Sequence, residues 1–417
     1  MTENDKKIIK DFTTHLKAKG FAKIDDETHH QTRIYNRYQR SYLPSSYLTN
    51  ALDDWLYKNE KKLEGEPPSA TYLMRTLPHV VGSKFAPDQP DIVVCPYSEL
   101  QYINTYQKYC PTALNKAVSP LFHEFIDRLF PDEKERHTVL QWLAHMFQKP
   151  EQRPSWHLML SSDTGCGKGV LVDQILRPLL LHVSTISSYA KLTGTFSSLL
   201  EDNLLVLLDD PKSKSESTQT QLKSKLTEEW QHIEKKGLQG KMVASYTRFI
   251  LASNEDRPLY LDESERRWFV PQKLVHRISR EETQEFISRL LDWVEQPGSL
   301  DAIYHFFVSY SLDGFNPKHV NQTPTLLDMV ALSANPDIEF IQDFIESKGD
   351  DKTFTYQELM NAFDKDSRSR PSSKQIPHLL REVGYERKRP RINGNQISVY
   401  APKYFTTEQV QADFGTF

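Results

Sequence analysis

The sequence predicts an α/β protein: a parallel sheet between layers of helix, bearing a phosphate loop, with helices ahead of it and a helical, basic segment behind it. Three observations predict this. Trp156 to Leu176, WHLMLSSDTGCGKGVLVDQIL, passes from an apolar segment through a glycine-rich turn into an amphipathic run, the order strand, loop, helix. Asn203 to Asp210, NLLVLLDD, is a run of large aliphatic side chains closing on two carboxylates, as a central strand delivers them to the carboxyl edge of a sheet. Arg248 to Asn254, RFILASN, repeats the pattern and ends in an amide.

A chain of 417 residues has length for about two to four domains and a buried core. No apolar run reaches the roughly 18 residues of a membrane span, and the start, MTENDKKIIKDF, lacks the profile of a secretory signal, so neither export nor a membrane is expected. Cys95, Cys110 and Cys166 share no C-x-x-C spacing and are odd in number, which suits a reducing cytoplasm. The net charge of −4 excludes no partner, because an acidic average can hide a basic face.

In chain order, Ile8, Ile9, Phe12 and Leu16 stand at helical spacing and Gly20 closes that helix. Arg33 to Tyr47, RIYNRYQRSYLPSSY, interleaves arginines with tyrosines. It reads either as a helix that packs its tyrosines and solvates its arginines or as a stacking surface for single-stranded bases. Glu60 to Ser69 is a charged, Pro-containing connector, and residues 70 to 108 read as a small mixed unit. Two helical patterns, through Leu121, Phe125, Ile126 and Leu129 and through Val139, Leu140, Leu143, Met146 and Phe147, precede the loop. Past the core, Glu281–Val294 and Asp301–Val308 read as helices, and residues 316–325 as irregular. The tail reads as three helices (Glu339–Ser347, Thr355–Phe363, Ser372–Val383), then a hairpin whose turn is Asn393-Gly394, the order of a winged helix. Between residues 367 and 403 nine basic residues, Arg387, Lys388, Arg389 and Arg391 among them, stand against Glu382 and Glu386, a footprint suited to a phosphate backbone.

The chemistry sits in the middle. A phosphate loop needs small residues whose backbone N–H groups converge on an anion, a helix N-terminus behind them, and a cation. Ser162, Asp163, Thr164, Gly165, Cys166, Gly167, Lys168 and Gly169 form that loop, with Lys168 supplying the charge. Cys166 has no base beside it in sequence and reads as a small spacer. Asp209 would hold Mg²⁺ through water, and Asp210 would orient or deprotonate an attacking water. Asn254 is placed to contact a γ-phosphate or that water. Glu265 to Val270, ERRWFV, brings Arg266 and Arg267 ahead of a further strand.

Taken together, SSDTGCGKG, LLVLLDD, the intervening QHIEKKG and FILASN, with ERRWFV after them, resemble motifs A, B, B′ and C of the superfamily 3 helicases found in phage, plasmid and virus replication proteins and in phage primase-helicases. The resemblance covers residues 100 to 335 and more loosely the tail. It implies an AAA+-like ATPase core using ATP and Mg²⁺, a homo-hexameric ring that moves along single-stranded or forked DNA, and a trans-acting arginine finger at Arg266 or Arg267. It also implies a channel hairpin whose Lys235 or Lys236 touches DNA. The organisation expected is then a mixed region over 1–108, a helical collar over 109–150, the ATPase core over 151–275, a helical extension over 276–335 and a winged helix over 336–417. Since the segment before the core carries no primase or polymerase motif, a separate primase or polymerase is expected, in the cytoplasm of a bacterium hosting a mobile element. This chain departs from the family at Ser162, where a glycine is usual, at Gly169, where a Mg²⁺-binding hydroxyl is usual, and at Asp210, where Glu is common. Two rivals stand beside the helicase: a loader or remodeller that moves protein, and a nucleotide-gated DNA-binding initiator.

Overall fold

A computed structural model describes residues 1–26, 31–112, 117–189, 192, 198–211, 216–234, 240–255, 258–259, 261, 264–333, 336–349, 352–365, 371, 373, 375–392 and 395–414. It opens with α1 (Glu3–Ala18), β1 (Phe21–Asp26), β2 (Gln31–Asn36), β3 (Ser41–Leu43), α2 (Ser46–Lys58), α3 (Ala70–Thr76), β4 (His79–Val80), β5 (Gly82–Lys84), β6 (Ile92–Val94) and β7 (Gln101–Asn104). Thr2 and Asp5 cap α1 reciprocally, and Gly20, at φ +78°, turns the chain out of it. The first four strands form a sheet in the order β3-β2-β1-β4, and the next three one in the order β5-β7-β6. Arg33 to Tyr47 is therefore not a helix. Tyr35 pairs with Ala22 and Arg33 with Ile24 across an antiparallel ladder, and cross-strand packing of Ile34 and Tyr35 into the core outweighs the helical spacing of the tyrosines.

Next come α4 (Pro120–Leu129) and α5 (Glu133–Gln148), capped by Ser119 and Asp132 and separated at Pro131, as their periodicity predicts. The central region contains β8 (His157–Ser161), a π-helical turn over Val170–Leu176 running into α6 (Arg177–Leu180), β9 (Val183–Ile186), β10 (Leu205–Asp209), α7 (Glu216–Thr227), β11 (Trp230–Ile233), β12 (Lys241–Ala244), β13 (Arg248–Ser253) and β14 (Trp268–Phe269). Five of these strands make one parallel sheet, in the order β14-β8-β13-β10-β9. Alternate residues feed opposite cores, as a pleated strand requires. Leu158, Leu160, Leu205, Leu207, Ile250 and Ala252 join the cluster built by α4 and α5. Met159, Val206, Leu208, Phe249 and Leu251 join a second cluster on the other face with Leu222 and Leu226 of α7. Burial of both faces is why these strands read as unbroken apolar runs.

Arg248 carries its charge into this core. Arg248 is fully buried, and its guanidinium donates to the carbonyls of Lys149 (3.0 Å), Gln152 (2.6 Å) and Tyr246 (3.3 Å), tying the start of β13 to the chain behind α5.

The chain continues through α8 (Arg280–Val294), α9 (Ser299–Ser309), α10 (Pro324–Ser333), α11 (Pro336–Lys348), α12 (Tyr356–Lys365), α13 (Ile376–Glu382), β15 (Tyr385–Lys388), β16 (Arg391–Ile392), β17 (Asn395–Gln396), β18 (Val399–Pro402) and α14 (Thr407–Phe414). β15 pairs with β18 and β16 with β17, two short antiparallel ladders nested one inside the other. The turn expected at Asn393-Gly394 lies outside the described residues, and α14 was not anticipated from the sequence. Ile341, Phe354, Leu359, Phe363, Ile376 and Leu380 give this segment a core of its own. Among the described residues no helix is long and apolar enough to cross a membrane.

Candidate functional site

Because β8, β10 and β13 run parallel, their carboxyl ends meet at one edge, where Ser161, Asp209 and Ser253 finish their strands. Ser162 is buried there. Its N–H donates to the Ser253 carbonyl at 2.9 Å and its hydroxyl donates to the Asp163 carbonyl at 2.8 Å. Ser162 thus extends the strand beneath the loop. Asp163, Thr164 and Gly165 are exposed, while Cys166, Gly167 and Lys168 are half-buried. Gly165 and Gly167 have φ of +89° and +105°, which L side chains rarely adopt. At Gly167 a Cβ would also lie 2.9 Å from the Phe125 ring, so the loop rests on α4.

Lys168 Nζ donates to Asn254 Oδ1 at 3.3 Å, joining the end of β13 to the loop. Burial lowers the Lys168 ammonium below its usual range, and Asp209 and Asp210 oppose that shift, so both carboxylates act on it. Asp210 lies at φ +44°, an uncommon conformation for a residue with a side chain. Its N–H donates to the Ala252 carbonyl at 2.7 Å, and its Oδ1 accepts from the Ser253 hydroxyl at 2.9 Å and the Asn254 N–H at 3.5 Å. Asp209, the last residue of β10, is exposed beside it. Cation, amide and two carboxylates therefore converge from three segments far apart in sequence. Burial raises the Cys166 thiol, the opposite of what a nucleophile needs.

The model of a family of unknown function, DUF5906, matches residues 159–267, the stretch from β8 to the arginine pair. The DNA primase-polymerase of Nitratiruptor phage NrS-1 is 28% identical over 182 residues, 41% of this chain and 25% of that protein. The match thus spans about a quarter of that relative's length. Over the whole fold, the apo structure of the NrS-1 C-terminal region (305–718) superimposes with a TM-score of 0.58 at 17% identity, covering 94% of this chain and 98% of that one. A second apo form of that region gives 0.58 at 18% identity. The chain is thus similar in sequence to a phage replication protein and in fold to that protein's C-terminal region.

Of the two arginines, Arg267 is folded back. Its guanidinium meets both oxygens of the buried Glu265 at 3.3 Å, and the Glu265 carboxylate also accepts the N–H groups of Arg266 (3.0 Å) and Arg267 (2.7 Å). Arg266 itself is exposed. Lys235 and Lys236 fall outside the described residues, between the antiparallel strands β11 and β12. In the tail Arg387, Arg389 and Arg391 are exposed, with Arg387 donating to Ser398 Oγ. Lys388, by contrast, is engaged within its own sheet, on the carbonyls of Lys403 and Phe405 and on Glu386 at 3.2 Å.

Sequence reasoning missed three groups that position the loop. Ser253 orients Asp210. Lys273 reaches Asp163 at 3.4 Å. His276 donates from Nε2 to the Thr164 carbonyl at 3.0 Å and meets the Thr283 hydroxyl at 3.1 Å, linking the loop to α8.

Proposed function

We propose that this chain is the motor part of a phage DNA-replication system, an ATPase of superfamily 3 type with an AAA+-like P-loop core that moves along single-stranded DNA as a ring. The observation that carries the reading is the convergence of Lys168, Asn254, Asp209 and Asp210 at one sheet edge, beneath a loop whose glycines take positive φ. The strand order supports it: with strands numbered from the loop, the sheet reads 5-1-4-3-2. The NrS-1 likeness supports the phage replication role.

The residues present suit a nucleotide with Mg²⁺. The N–H groups of Gly165 to Gly169 and Lys168 would hold the phosphates. Asp209 would hold the metal through water, since Gly169 brings no hydroxyl and the described residues include no cluster of three or more His, Cys, Asp or Glu able to bind a metal alone. A bound Mg²⁺ would neutralise charge on the phosphates. Asp210, fixed by Ser253, would orient and deprotonate the attacking water, and Asn254 would sense the terminal phosphate. Lys235 and Lys236, which stand in sequence between β11 and β12, and the basic tail, read as a winged helix, would meet DNA.

The test is ATP turnover with and without single-stranded DNA, alongside unwinding of a fork with either tail. Wild-type protein should be stimulated by DNA and open the fork, and Lys168→Ala should abolish both while keeping the wild-type melting temperature. Turnover indifferent to DNA would favour the loader or the nucleotide-gated initiator; normal turnover by Lys168→Ala would end the phosphate-loop reading.

A further inference from the structure

A cavity of about 630 Å³ lies in the N-terminal region, between α1, α2 and the turn after β2, and none of its lining residues belongs to the phosphate loop. That is within the roughly 300–1,000 Å³ of small-molecule pockets and ample for a nucleobase with its sugar. Its walls are aromatic. Tyr47 stacks on Phe21 with centroids 5.5 Å apart and planes 21° apart, so one face of the ring is covered while the residue stays 37% exposed. Tyr38 lies across Gly20, where a Cβ would come within 2.8 Å of its ring, and is 47% exposed. Trp55 of α2, packed on Phe12, forms a further wall. Lys19, just after α1, and Lys58, the last residue of α2, stand at the rim as exposed cations, with Asp54 the one carboxylate of the lining.

We propose that this groove is a binding site for single-stranded DNA, distinct from the motor's own contacts, in which unstacked bases lie on Tyr47 and Tyr38 and the backbone passes Lys19 and Lys58. Exposed tyrosine rings, Tyr47 backed by Phe21 and Tyr38 flanked by the Arg37 guanidinium at 5.1 Å, beside a cationic rim, match the sequence-tolerant way proteins hold single strands, because every base has a π-face. Side-chain amides of Gln39 and Asn50, which also line the groove, suit base edges. A free nucleotide is disfavoured, since the lining includes no glycine-rich turn to gather a polyphosphate. Two lysines against one carboxylate in the lining suit a phosphodiester backbone better than a protein partner. The tyrosines interleaved with arginine in the sequence thus divide their work: Tyr35 is core, while Tyr38 and Tyr47 face the groove.

The experiment uses the full chain without nucleotide, so that its outcome is separate from the ATPase reading. A thymidine oligonucleotide of about 10 residues carrying 5-iodouracil is photocrosslinked and the adducts mapped by mass spectrometry. Adducts on Tyr38, Tyr47 or Trp55 are expected; adducts confined to residues 230–244 or to the tail would overturn the proposal. In parallel, Tyr38→Ala with Tyr47→Ala should weaken oligonucleotide binding about tenfold without changing its salt dependence, because stacking releases no counterions. Lys19→Gln with Lys58→Gln should flatten the slope of log affinity against log salt by about 1.4, roughly 0.7 for each lost phosphate contact on a single strand. Basal ATP turnover should be unchanged in both variants. Wild-type affinity in the tyrosine variant would also overturn the proposal, and the crosslink on unaltered protein keeps the test valid should that variant fold poorly.

Discussion

Gly167→Ala offers a quantitative test of the loop because two independent costs meet at one Cβ. At φ +105° an alanine takes on backbone strain, of order 1–3 kcal/mol. The new methyl also lies 2.9 Å from Phe125 Cε2, and Phe125 is only 1% exposed in the main core, so the ring cannot swing into solvent. Overpacking of that kind costs roughly 1–3 kcal/mol. On the proposed phosphate-loop reading the loop escapes by leaving the shape that would hold nucleotide, so most of the combined cost of about 2–6 kcal/mol should appear as lost affinity, at least roughly 30-fold. The melting temperature should move little, since the loop lies at the surface end of the sheet. Titration of a fluorescent ATP analogue reads the affinity. Adding Phe125→Leu should recover the steric share but not the conformational one, leaving binding about fivefold or more below the Phe125→Leu parent. Binding by Gly167→Ala within about threefold of wild type would refute the reasoning, because neither cost would then be felt.

Asp209→Asn and Asp210→Asn should both suppress turnover, but only Asp210→Asn should leave Mg·ATP affinity largely intact; equal losses of affinity in an isothermal titration would remove the division between metal and water roles. Ser253→Ala should lower turnover about tenfold with little change in nucleotide affinity, since it frees Asp210 rather than removing it, and an equal fall in affinity would place Ser253 in binding instead. His145, held down to about 4, and His157, held well below its usual value, are buried and kept neutral chiefly by that burial. Their folded values lie below the unfolded one, so the stability they contribute is complete above about pH 6.5 and is lost as pH falls towards 4, each group approaching roughly 1.4 kcal/mol per pH unit in that window. Denaturant midpoints that stay level between pH 7 and pH 5 would contradict neutral burial. Arg266→Ala should abolish turnover and regain part of it when mixed with Lys168→Ala protein, whereas Arg267→Ala should chiefly lower the melting temperature; no recovery in mixtures that demonstrably exchange subunits would remove the trans-acting finger.

What was legible in the sequence was whatever a run of neighbours encodes. The three apolar runs at residues 157–161, 203–209 and 248–253 announced strands buried on both faces, and their polar ends announced a shared edge. Gly20 marked the end of α1 by chemistry that is local by nature, whereas the caps Ser119 and Asp132 emerge from the structure. The errors came where partners decide. Arg33 to Tyr47 has a helical spacing of aromatics, yet the ladder with β1 wins. Lys388 counts as a cation in any charge tally, but the tail's fold spends it on two carbonyls and Glu386. Ser253 is an unremarkable strand residue until Asp210 turns back at positive φ to meet its hydroxyl.

The arginine pair was legible as a pair but not in its geometry, and strand direction supplies what was missing. β14 runs parallel to β8, and the His157 N–H, at the start of β8, donates to the Arg267 carbonyl at 2.7 Å. Both arginines therefore enter the sheet at its amino edge, while Lys168 leaves from the carboxyl end of the same strand. The five residues of β8 put roughly 16 Å between the two edges at about 3.3 Å per residue, before the loop adds its own length. With Glu265 holding Arg267, the exposed Arg266 is the candidate finger if the proposed ring forms. An arginine that cannot serve the phosphates of its own chain makes sense in catalysis only at a boundary, so the loss and rescue expected of Arg266→Ala would report on subunit contact itself. A monomeric ATPase with this fold would have no use for Arg266, and its replacement would then leave turnover untouched.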